Sequence, residues 1–110
     1  MTTRRALALG SAVLGMLLAA GVQAAGDAAA GHYKAQTCLG CHAIPDYTYP
    51  YPMFHVPKLG GQHAQYIVSA LEEYKSGKRA NPTMQAQANS LSQQDMQDIA
   101  AYFSSLAPNQ

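Results

Sequence analysis

The sequence predicts an all-α fold. Two stretches carry apolar residues at helical spacing, cap signals bracket them, and no run alternates apolar with polar residues as a half-buried strand does. Tyr66, Ile67, Ala70, Leu71 and Tyr74 share one helix face; Met96, Ile99, Ala100, Phe103 and Leu106 share another. A third helix, with weaker periodicity, is expected near the N-terminus. The 110 residues suffice for one domain, and no internal repeat divides them.

Residues 1–24 read as a secretory signal peptide. Arg4 and Arg5 form a basic start, Ala6–Ala20 is apolar apart from Gly10, Ser11 and Gly15, and Val22-Gln23-Ala24 offers the small residues of a cleavage site. The apolar run is shorter than the roughly 20 residues that a membrane-spanning helix requires. Cleavage after Ala24 would leave 25–110 as a single exported, soluble domain, with no membrane insertion expected. That domain carries five Lys and Arg against six Asp and Glu, a formal charge of −1. A nucleic-acid partner is therefore not expected.

The first helix of the mature chain is expected to start at Asp27, whose side chain can accept from the free amides of the first turn. Ala28, Ala29 and Ala30 favour helix, which should run to about Thr37. Gly31 falls in the helix interior, at a cost of about 1 kcal/mol relative to alanine, so a close approach by another helix is expected there. Cys38-Leu39-Gly40-Cys41-His42 follows and holds both cysteines. This spacing is the attachment signature of a c-type haem. Two thiols three residues apart can each form a thioether to a haem vinyl group, and the next residue supplies an imidazole to the iron. A thioredoxin-like redox pair would need a preceding strand and a βαβ pattern, and neither is present. A disulfide between Cys38 and Cys41 would close a loop too short to stabilise much.

Residues 43–61 are expected to be irregular, because Pro45, Pro50, Pro52 and Pro57 remove backbone donors. Tyr47, Tyr49, Tyr51, Phe54 and His55 make this loop aromatic, as in a segment that covers a ligand. The second helix should span Gln62–Ser76 and stop at Gly77, a left-handed cap, with Lys75, Lys78 and Arg79 at the negative end of the dipole. A second loop is expected over 80–91, beginning at the Asn81-Pro82 turn signal. Ser92 opens the last helix, with Asp95 in a capping-box position.

A haem held by one histidine leaves the other side of its iron open. Met53, Met84, Met96, His32, His55 and His63 are the available ligands in the mature chain. Met96 belongs to an apolar stripe and reads as core. His32 and His63 read as solvated helix residues. Met84 lies in the polar stretch Asn81–Gln85 with no stripe to join, and is favoured as the ligand. Met53 and His55, in the aromatic loop, are the alternatives.

Taken in order, these residues resemble class I cytochromes c. The chain is similar to the small bacterial periplasmic monohaem proteins and to single domains of their dihaem relatives. The resemblance covers nearly all of residues 26–107. It rests on the haem motif, on Val56–Gln62, on Tyr74–Arg79, on Met84, on Leu91-Ser92 and on Ile99–Phe103. It implies three main helices and irregular loops wrapped around one covalent haem c, bound through Cys38 and Cys41. It also implies His42 as proximal ligand, Met84 as distal ligand, and the Pro57 carbonyl as acceptor for the second ring N–H of His42. Leu59, Tyr66, Ile67 and Leu71 would wall the haem, and Gly31 would cross the last helix near Tyr102 or Phe103. Two features depart from the pattern: Ala43 replaces a common glycine, and the stretch 46–55 is rich in tyrosine and proline.

The function implied is electron transfer without enzymatic turnover. The carrier would be a soluble shuttle or a subunit of a respiratory or dehydrogenase chain, monomeric or in transient complexes with redox protein partners. The surface around Tyr49, Tyr51 and Phe54 would help to dock them. The competing function is a haem-based gas sensor or small catalyst with an open distal side.

Overall fold

The computed structural model describes residues 25–50 and 53–108. The expected signal segment lies outside these residues, as do Tyr51 and the side chains of Tyr49 and Met53. The described chain forms five helices and one two-stranded antiparallel ribbon: α1 Ala28–Lys34, α2 Gln36–His42, β1 Thr48–Pro50, β2 Met53–His55, α3 Ala64–Ser76, α4 Pro82–Asn89 and α5 Gln93–Ser105. Among the described residues, no helix is long and apolar enough to cross a membrane.

The expected first helix is two short helices. Asp27 caps α1, its carboxylate accepting from the amides of Ala29 at 2.8 Å and Ala30 at 3.2 Å. At Ala35 the backbone turns to ψ 1°, and the Gln36 side-chain amide donates to the His32 carbonyl at 3.0 Å. That bond satisfies a carbonyl which the interrupted ladder leaves free. α2 then carries the whole Cys-x-x-Cys-His motif, so the three residues meant for the haem stand on a regular helix.

α1 packs across α5. A methyl group at Gly31 would lie 1.9 Å from the Asp98 carbonyl oxygen and 2.9 Å from Tyr102 Cβ, so only glycine fits this crossing. Asp98, 3% exposed, ties the pair together. Its carboxylate accepts from the Asp27 amide at 2.8 Å, from Gln94 Nε2 at 2.8 Å and from Lys34 Nζ at 2.6 Å. Lys34 also reaches Asp95 at 2.8 Å.

α3 ends at Gly77 with φ 77°, and the Gly77 amide donates to the Tyr74 carbonyl at 3.1 Å. The left-handed conformation there is why glycine holds the position. α5 begins with a complete capping box: the Asp95 amide donates to Ser92 Oγ at 3.1 Å, and the Ser92 amide to Asp95 Oδ2 at 2.9 Å. α3 packs on both α4 and α5. Ile67, Val68, Leu71, Met96, Ile99, Ala100 and Phe103 are buried between these helices, with Ala35 and Ala88. The core is small, as expected for a domain whose centre is shared with a cofactor.

Two loop expectations change. Residues 80–91 contain α4: Asn81 is its N-cap and Pro82 its first residue, a start signal rather than only a turn signal. Residues 43–61 contain the ribbon, in which Thr48 faces His55 and Tyr49 faces Phe54. The Val56 amide closes its base on the Tyr47 carbonyl at 2.9 Å. Thr, Tyr and Phe favour extended chain, and in a ribbon with two open edges a proline can occupy a position that needs no donor.

Candidate functional site

α2, the segment 54–59, α3 and the start of α4 enclose a cavity of about 520 Å³. That is within the roughly 300–1,000 Å³ of clefts that hold cofactors. Cys38, Cys41 and His42 all line it. One turn of helix separates the two cysteines, so they lie on the same face of α2. Both are free thiols and half-buried. Burial pushes the Cys38 thiol pKa up, which keeps the sulfur protonated.

His42 is 8% exposed. Its Nδ1 lies 2.6 Å from the Pro57 carbonyl oxygen. A carbonyl can only accept, so Nδ1 donates its N–H to Pro57, and in the neutral ring Nε2 then keeps its lone pair. The imidazole is thus the tautomer that can ligate a metal through Nε2. A proline carbonyl suits this role, since the segment around it has no helix or strand ladder to compete for the oxygen.

Met84 reaches the same cavity from the first turn of α4 and is half-buried. Its backbone amide donates to Asn81 Oδ1 at 3.0 Å, which fixes the turn that presents the thioether. Pro57, Leu59, Tyr66, Ile67 and Leu71, the wall expected from the resemblance, all line the cavity. His55 lines it as well, on the segment that leads into Pro57. Met96, at 1% exposure, belongs to the core, while His32 and His63 are exposed. None of these three lines the cavity.

Several lining residues were missed by sequence reasoning. Asn81, Thr83 and Gln87 come from α4 and its cap, which were expected to be loop. The Asn-Pro pair preceding a methionine at the third helical position was the signal that could have found them. Arg79 and Tyr74 also line the cavity, although Arg79 was read only as a partner for the helix dipole.

The donor set suits a covalently held haem c. Two thiols and a tautomer-fixed imidazole open into a single apolar-walled space that also contains a thioether sulfur. Residues 26–107 match the cytochrome c family profile. The chain is 48% identical over 82 residues to cytochrome c4 of Pseudomonas aeruginosa, covering 74% of this chain and 39% of that protein. It is 43% identical over 84 residues to cytochrome c-554(548) of Halomonas halodenitrificans, covering 74% of this chain and 98% of that one. It is 33% identical over 106 residues to a thiosulfate dehydrogenase electron acceptor of Thiomonas intermedia, covering 96% of this chain and 46% of the relative. The chain thus spans less than half the length of the first and third of these proteins. A profile match over most of the chain, together with a relative matched along almost its whole length, shows that the chain belongs to the cytochrome c family and binds haem c covalently.

Proposed function

We propose that this protein is a periplasmic carrier of single electrons in which His42 and Met84 occupy the two axial positions of the haem iron, with Cys38 and Cys41 forming its thioether bonds. The observation that carries the reading is the convergence of His42 and Met84 on one cavity. His42 and Met84 would hold the haem iron between them, and the bound haem would supply one-electron exchange between Fe(II) and Fe(III) at a potential raised by the soft thioether. With His42 and Met84 both holding the iron, no site would be left there for a substrate, and the protein would be a carrier and not an enzyme.

The surrounding residues support that task. The Pro57 carbonyl holds the His42 ring in one tautomer and one plane. Asn81 does the corresponding work on the backbone of Met84. Leu59, Ile67 and Leu71 exclude water, and an apolar shell disfavours the extra charge of the ferric form.

The signal segment at 1–24 supports export, with 25–110 as the mature domain. The name of the Thiomonas relative supports a place downstream of a dehydrogenase, and transient contacts with redox proteins suit such a carrier. Carbon monoxide addition to the ferrous protein tests the reading. A carrier with Met84 bound reacts slowly or weakly; rapid, tight binding at neutral pH would show an open distal side and a sensor or catalyst instead.

A further inference from the structure

Among the described residues, His42 and His55 are the imidazoles that line the cavity. Their situations differ. His42 is buried, its Nδ1 is held at 2.6 Å by the Pro57 carbonyl, and its other nitrogen is given to the iron in the carrier described above. His55 is exposed, so it can exchange a proton with water while standing in the cavity wall.

The backbone fixes His55 relative to the site. His55 ends β2, opposite Thr48 of β1. The next residue, Val56, donates its amide to the Tyr47 carbonyl at 2.9 Å. The one after it, Pro57, holds the His42 ring. Even fully extended, the chain separates the α-carbons of His55 and Pro57 by no more than about 7 Å.

Histidine is the side chain whose charge ordinarily changes between pH 5 and 8. Lysine, arginine and tyrosine keep one charge state over that range, so Lys34, Lys58, Arg79, Tyr66 and Tyr74 set a constant field in the cavity. Lys34 is also clasped by Asp95 and Asp98 at 2.8 and 2.6 Å. Cys38 and Cys41 are taken up as thioethers. From β1, Thr48 faces His55, and a threonine does not titrate.

We propose that His55 couples electron carriage to proton carriage: its imidazole takes a proton from water as the iron takes an electron from the donor, and returns it on oxidation. The proposal rests on the carrier reading, through an iron that cycles in this cavity. Reduction removes one positive charge from the iron, which favours imidazolium nearby. His55 therefore binds its proton more tightly in the reduced protein. The potential falls as pH rises between the two proton affinities and is level on either side. Water around an exposed ring screens the interaction, so the affinities should differ by about two- to fivefold. At about 59 mV per tenfold for one electron, that is a step of about 18–41 mV.

The test uses haem-loaded wild type, H55Q and H55K between about pH 5 and pH 8. Proton NMR follows the His55 ring, identified by its loss in H55Q, in the ferrous and ferric proteins, and equilibrium potentials are recorded alongside. A tighter proton in the ferrous state and a matching step in the potential are expected. H55K should stay near the acid value of the wild type and H55Q near its alkaline value, each without the step. Equal His55 proton affinities in the two states overturn the proposal. So does a step that survives unchanged in H55Q, which would belong to a haem carboxylate. If H55Q retains no haem, the wild type and H55K decide, with H55K identifying the His55 ring in its place. Absence of the thioether–iron band while the two affinities still differ counts against Met84 and not against His55.

Discussion

His42 meets the cavity with its tautomer already chosen, because Pro57 offers only an acceptor to Nδ1. The equivalent question for methionine is which of several sulfurs reaches the iron. Met84 stands in the first turn of α4 and Met96 in the first turn of α5, yet one lines the cavity and the other is 1% exposed in the core. Their substitutions should therefore fail in different ways. Met84→Ala should abolish the thioether–iron charge-transfer absorption and lower the potential, with little change in unfolding free energy once haem is attached. Met96→Ala should keep that absorption and lose about 2–5 kcal/mol in denaturant titrations, as for other buried methionines. Asn81→Ala removes a helix cap worth about 1 kcal/mol and frees the backbone of Met84, so the same absorption should bleach at lower temperature than in the wild type. That Met96 belongs to the core and Met84 does not was legible from neighbours alone: Met96 shares a stripe with Ile99 and Phe103, and Met84 shares none.

At the scale of elements, the crossing of α1 and α5 is the most constrained contact in the domain. Gly31→Ala puts a methyl group into the Asp98 carbonyl and should cost about 1–3 kcal/mol or more through forced displacement of α1. The charges at this crossing make a pH prediction. Lys34 is the first cause that lowers the pKa of both Asp95 and Asp98. Carboxylates with lowered native pKa values stabilise the fold fully above their unfolded value of about 3.9 and lose that stabilisation as pH falls through the native values. Lys34, raised chiefly by Asp95, contributes below its unfolded value and loses the contribution as pH rises through the native one. Urea midpoints of the wild type should thus fall between about pH 5 and about pH 2, and more steeply than those of Lys34→Met. A parallel fall in both proteins would remove the clasp from the account. The elements that sequence reasoning found were those with strong caps and full stripes, α3 and α5. It missed α4 because eight residues with one buried side chain, Ala88, have almost no periodicity to read. It missed the ribbon because the prolines at 50 and 52 argue against strands unless both edges are open.

For the molecule as a whole, the interior belongs to protein and haem together. The buried side chains form a modest cluster beside a cavity of about 520 Å³, so attachment of the cofactor supplies part of the hydrophobic core. A Cys38→Ser, Cys41→Ser double variant should lose covalent haem and show a broad, low-temperature unfolding transition where the wild type is cooperative; calorimetry on the two proteins checks this. The motif on α2 announced the cofactor and its attachment residues without any structure. The cavity's far wall was less legible, because Arg79, Tyr74 and Asn81 converge only after the reversal at Gly77 and the start of α4. The central claim remains that both axial positions belong to the protein. Its most direct test is the ferric absorption spectrum of the purified wild type beside that of Met84→Ala. The account predicts the weak red thioether-to-iron band in the wild type and its loss in the variant. A wild-type spectrum without that band, or a variant that retains it, contradicts the account.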